Sequence, residues 1–167
     1  VEVEDGRRFL QRDDERWDAI VIDAYFSDSL PFHLTTIEFL ELARSRLRPG
    51  GVIASNLIGS ISGDGSKLFR SMYKTYRAVF PTVTVHPVKD AGDDDSTPTN
   101  IIVVASEGAA PGKDVLLERW EAVRARVESA ADLTKAINDR HEAIVPTRDV
   151  PVLTDDYAPT DALLFVD

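Results

Sequence analysis

Two hydrophobic periods alternate along this chain. Residues 1–4 alternate apolar and acidic side chains, the period of a short strand. Asp5-Gly6 breaks that pattern, and 7–11 reads as one or two helical turns. The apolar run 19–22 ends abruptly on Asp23, which predicts a strand over 19–23. Residues 24–33 read as a loop, with Pro31 excluding a helix. Thr35 and Glu38 have the spacing of a capping box, and Ile37, Leu40, Ala43 and Leu47 mark the stripe of a helix over 35–47. Pro49, Gly50 and Gly51 stop it, and 52–57 reads as the next strand. A Gly/Ser loop over 59–65 leads into 67–80, where Leu68, Phe69, Met72, Tyr73, Tyr76 and Phe80 fall at helical spacing. Strands are predicted at 82–88 and 101–105, pairing antiparallel across a long acidic loop over 89–100. The C-terminal part, 113–167, carries an amphipathic helix over 116–127, a second over 131–140, and an extended tail with two prolines that ends in an apolar segment.

The resulting order, β-α-β-α-β-α-β-β-α-α, predicts an α/β fold with a mostly parallel sheet, helices on both faces and an antiparallel C-terminal strand. Right-handed crossovers are the default for such units. Ligands of open α/β sheets bind outside the carboxyl ends of the strands, which is where Asp23 falls. No G-x-G-x-x-G follows any strand, and Gly59, Gly63 and Gly65 lack its spacing. The order therefore describes the second half of a Rossmann-like doubly wound sheet, with the nucleotide-gripping N-terminal half missing. No repeat and no separate second domain are evident, so 1–167 reads as one partial domain.

Bulk properties narrow the choice of partner. The chain has 167 residues and a formal net charge of −10, from 29 acidic against 19 basic side chains. Phosphate backbones need a basic face, so nucleic acid is excluded as a partner, and a small cation fits better. No apolar run approaches the roughly 18 residues of a membrane span. The charged first residues read as no signal peptide, and the absence of cysteine agrees with a cytoplasmic location.

The segments VEVEDGRRFL, WDAIVIDAYFSDSLPFHLTTIEFL, LRPGGVIASNL, NIIVVAS and LTDDYAP, in this order, resemble the spermidine synthase-like polyamine aminopropyltransferases, which share the class I methyltransferase fold. The resemblance covers most of the chain. It implies transfer of an aminopropyl group from decarboxylated S-adenosylmethionine to putrescine or a related amine, giving methylthioadenosine and requiring no metal. Asp23 would receive the amine proton, as its strand-end position also suggests. Asp5 and Gly6 would sit at the adenine end of the donor. Asp28 would supply a second substrate-binding carboxylate, although the core synthases carry theirs where Phe26 stands here. Tyr25, Asn56, Asp155, Asp156 and Tyr157 complete the expected substrate-binding set, with bonds tying the tail to the sheet as the competing role for the last three.

Other chemistries have little support in the residues. His33, His86 and His141 have no ligand spacing between them. His33 would line the loop after Asp23, and His86 reads as a solvent-facing strand residue. Asp93–Asp95 lacks a calcium-loop pattern, and no G-x-S-x-G occurs. Without the Gly-rich half, weak or no activity is expected of this chain alone. A homodimer or a partner chain would cover the exposed sheet edge. An S-adenosylmethionine-dependent methyltransferase and a non-catalytic binding or assembly domain on the same fold are the alternatives.

Overall fold

The computed structural model describes residues 2–12, 14–24, 31–127 and 131–164. Its base is a parallel pair, β1 (Trp17–Ile22) and β2 (Leu47–Gly59), in register from Ala19 opposite Val52 to Ile22 opposite Ser55. The register shifts between Trp17 and Ala19, where β2 passes through Pro49-Gly50-Gly51. The two glycines have different jobs. Gly50 takes a positive φ of 82°, which side chains disfavour. A Cβ on Gly51 would lie 3.0 Å from the Arg48 carbonyl oxygen and 3.1 Å from that of Trp17, so glycine lets the strands close. The sequence pattern places the start of this strand at 52, because the bulge interrupts its period; pairing begins at Leu47.

β3 (Thr82–Pro87) and β4 (Thr99–Ser106) complete the sheet in the order β1-β2-β4-β3. β4 runs antiparallel to both neighbours, so β1, β2 and β3 share one direction. The expected mostly parallel sheet with an antiparallel C-terminal strand is present, and that strand is inserted between β2 and β3.

α2 (Ile37–Ser45) and α3 (Lys67–Val79) cover one face. Burial alternates along β2, so Ile53, Ser55 and Leu57 face these helices while Val52, Ala54 and Asn56 point the other way. Phe39, Leu40, Phe69, Met72 and Tyr76 close the core with almost no exposure. Burial of this kind stabilises by about 1.5–3 kcal/mol per large side chain. On the other face, α4 (Lys113–Arg124) and α5 (Thr134–Asn138) stand over β3 and β4, and Trp120 and Ile137 are buried there. His86 is correspondingly not a solvent-facing residue. Its Nδ1 lies 3.3 Å from the Ala136 carbonyl oxygen and its Nε2 3.1 Å from Thr84 Oγ1.

Three local expectations differ from the structure. Residues 2–4 are not a strand: no described strand lies beside them, and Glu2 and Glu4 instead meet Arg12 at 2.7 and 3.1 Å. The cap of α2 is Thr36, not Thr35; its hydroxyl accepts from the Phe39 amide, and Glu38 turns away to accept from the Asp155 amide at 3.0 Å. The helix expected over 131–140 is confined to α5, followed by a single bridge from His141 to Val85 on the open edge of β3. The tail crosses α2 and α3. Leu153 accepts from the Ile37 amide and donates to Thr75 Oγ1, and a last turn, α6 (Thr160–Leu164), ends the described chain.

Candidate active site

α1 (Gly6–Arg12) lies beside the β1 edge. A cavity of about 400 Å³ runs along that edge, with β1 as its floor, Gly6, Phe9 and Leu10 of α1 on one wall, and Leu34 and Phe39 on the other. Asp23 and Ala24 close its end at the carboxyl terminus of β1. This volume is within the range of about 300–1,000 Å³ usual for small-molecule sites. A larger cavity, about 810 Å³, separates the opposite sheet face from α4 and α5 and is lined by none of the candidate residues.

Asp23 is exposed just beyond β1, and Asn56 Nδ2 donates to its Oδ1 at 3.1 Å from the adjacent strand. The in-register pairing of Ile22 with Ser55 sets Asp23, one residue past β1, beside Asn56, three residues before the end of β2. Gly6 lines the same cavity as Asp23, and a Cβ on Gly6 would meet nothing within 4 Å. That side of the α1 backbone is open to a ligand. Trp17 also lines the cavity, and its buried indole N–H has no hydrogen-bond partner among the described residues. An open backbone, an unpaired donor and a carboxylate thus line one cleft. Tyr25 and Asp28 lie outside the described residues.

Asp5 caps α1, its Oδ1 accepting from the Arg8 amide at 3.0 Å while Oδ2 lies 2.7 Å from His33 Nε2. The Arg8 amide, more than His33, holds the Asp5 carboxyl below its ordinary range, with desolvation opposing. Asp155 is gripped by the Arg7 guanidinium through two bonds of 2.7 and 2.5 Å and by Thr36 Oγ1 at 2.7 Å. The Arg7 fork is the main reason the Asp155 carboxyl also lies low, again against desolvation. Asp156 and Tyr157 are exposed in the turn closed by Thr154 and Tyr157, and neither lines the cavity. The structure thus joins Asp23 to Asn56 and connects Asp5 to Asp155 through His33 and Arg7. Arg7 and Thr36 were not evident from sequence, since no local pattern signals a contact spanning 148 positions. Among the described residues no three His, Asp or Glu side chains gather into a metal site, and no helix is long and apolar enough to cross a membrane.

No family profile matches the chain. A probable polyamine aminopropyl transferase of Bifidobacterium longum is 27% identical over 171 residues, covering 95% of this chain and 36% of the relative. Polyamine aminopropyltransferase 2 of Pseudomonas aeruginosa is 40% identical over 82 residues, 48% of this chain and 23% of its own length. Among solved structures, a spermidine synthase in complex with the transition state analogue AdoDATO superposes with a TM-score of 0.58 at 18% identity, covering 84% of this chain and 45% of that one. In sequence the chain is similar to polyamine aminopropyltransferases, and in fold to a spermidine synthase. It spans about a third of the first relative's length. Its fold is also that of human methyltransferase-like protein 13 in complex with SAH, with a TM-score of 0.58 at 22% identity over 83% of this chain and 64% of that one. Two of its structural neighbours therefore carry ligands related to S-adenosylmethionine.

Proposed function

We propose that the chain carries the amine-activating side of an aminopropyltransferase site, acting on decarboxylated S-adenosylmethionine and putrescine or a related small amine. The observation that carries this reading is Asp23, held by Asn56 at the strand end, in one cavity with the open backbone of Gly6. The likeness to polyamine aminopropyltransferases supports it. When bound, the donor supplies a carbon made electrophilic by its sulfonium. Asn56 fixes one oxygen of Asp23 and leaves the other to face the acceptor. That carboxylate attracts the ammonium form of the amine and accepts its proton. The freed nitrogen lone pair then forms the new C–N bond as the C–S bond breaks, and the sulfonium becomes a neutral thioether. Asp5 and Gly6 fit the adenine end, because each Asp5 oxygen retains a second lone pair for an amino donor.

The test is methylthioadenosine release from decarboxylated S-adenosylmethionine and putrescine, read by mass spectrometry. Turnover is expected to be slow for a chain of this span, so the decisive quantity is a ratio. Asp23→Asn keeps the contact with Asn56 but loses the base, and should lower the rate by about 10²–10⁴-fold. Equal rates for the two proteins would refute the assignment. The likeness to methyltransferase-like protein 13 sustains one second reading, methyl transfer from S-adenosylmethionine itself. Preference for the carboxylated donor, with methylated amine as product, would select it.

A further inference from the structure

We propose that Arg7 is a positioning residue of the cleft, acting through Asp155 and the His33 carbonyl to hold its two walls together. This role in the site rests on the proposed function. Gly6, on one wall, precedes Arg7 directly, and Leu34, on the other, follows His33. Arg7 spans them. One of its terminal nitrogens donates both to the His33 carbonyl oxygen at 3.2 Å and to Asp155, and the other donates to the second Asp155 oxygen. Asp155 is fastened in turn to the start of α2, its Oδ1 accepting from Thr36 and its amide donating to Glu38. A ring of bonds thus runs from α1 through the tail to α2 and back through His33 to Asp5. The far end of α1 has a separate anchor, Arg46 Nε on the Leu10 carbonyl at 2.9 Å, which does not reach Asp5 or Gly6.

An isolated surface ion pair would contribute little. This one differs in two ways. The Arg7 side chain is only 18% exposed, and a two-point grip fixes orientation as well as distance. Each partner is also already ordered by its other bonds, so less freedom is lost per contact. A lysine at position 7 could reach one oxygen but not grip both.

The test compares wild type with Arg7→Gln, Arg7→Lys and Asp155→Asn. It measures amide hydrogen exchange, the unfolding midpoint and methylthioadenosine affinity by calorimetry. Loss of the clamp should speed exchange at Arg8, Phe9, Leu34 and Thr35 together by about tenfold, with α3 and β4 unchanged. Affinity should fall alongside, with Arg7→Lys intermediate and Asp155→Asn matching Arg7→Gln. Should Arg7→Gln fail to fold, Arg7→Lys and Asp155→Asn carry the comparison. Unchanged exchange at those four amides would overturn the clamp. Faster exchange with wild-type affinity would reduce Arg7 to a structural staple and overturn its positioning role. A wild-type protein that binds no methylthioadenosine would refute the proposed function instead, and the coupled exchange of the two walls would still decide the clamp.

Discussion

Tyr76→Phe removes one atom from the core, and its cost can be worked from the structure. Tyr76 is fully enclosed and Ser55 is 1% exposed, and their hydroxyls share a hydrogen bond. Ser55 lies opposite Ile22 of β1 and immediately precedes Asn56, so the bond pins the strand that presents Asn56 to Asp23. Without the phenol hydroxyl, Ser55 is left with an unpaired polar group where no water reaches it, at a cost of about 1–3 kcal/mol. Ser55→Ala strands the phenol hydroxyl at a similar cost. The double variant strands neither, so its loss should be smaller than the sum by about 1 kcal/mol or more. For a chain of this size each kcal/mol lowers the midpoint by about 2–4 °C. Urea and thermal unfolding of the four proteins measure the cycle. Alkaline pH gives a second readout. Burial raises the Tyr76 phenol above its ordinary 10.0, with the Ser55 bond opposing. The unfolded chain therefore ionises first, and this contribution is complete below pH 10 and lost above it. Tyr76→Phe should remove that part of the alkaline slope. Strictly additive losses, or a Tyr76→Phe cost below about 0.5 kcal/mol, would refute the buried bond.

Two further outcomes follow from packing. Burial lowers the His86 imidazole below its ordinary 6.5, with the Ala136 carbonyl opposing and Arg140 and Lys113 adding to the depression. Its stabilising contribution is complete above pH 6.5 and is lost as pH falls through the depressed folded value, so unfolding midpoints followed from neutral to mildly acid pH should drop, and His86→Gln should flatten that limb. Gly51→Ala would press a methyl group against three backbone carbonyls at 3.0–3.2 Å; a loss of about 1–3 kcal/mol by urea unfolding is expected, and a neutral result would mean the β1–β2 bulge opens freely.

The sheet was legible because its strands carry apolar runs separated by strong punctuation, and because strand–helix–strand units leave few topologies open. What escaped was set by contacts beyond the local period. The bulge at Gly50-Gly51 hid the first residues of β2 behind a turn signature. Glu38 matched a capping box three residues after Thr35, but the tail amide of Asp155 takes its carboxylate, and Thr36 caps the helix instead. The apolar–acidic alternation of residues 2–4 matched a strand, yet its acids face Arg12.

The same distinction runs through the site. Asp23 and Asn56 could be placed together from sequence because one topological rule puts the ends of adjacent parallel strands at a common rim, and the register sets the two side by side although β2 runs on to Gly59. Asp155 of the LTDDYAP tail obeys no such rule, since its surroundings depend on a residue 148 positions away. From sequence, Asp23 and Asp155 read as grips for a cation and Asp5 as an acceptor at the adenine end of the donor. In the structure Asp155 has both oxygens committed to Arg7, and Asp5 has one bound to an amide and the other to His33. Asp23 has one oxygen engaged by Asn56. Net charge drew attention to acceptors of positive charge, but the hydrogen bonds commit Asp155 to Arg7 and Thr36 as a fastener of the cleft walls, while Asp23 stands exposed at the end of the cleft with one oxygen on Asn56.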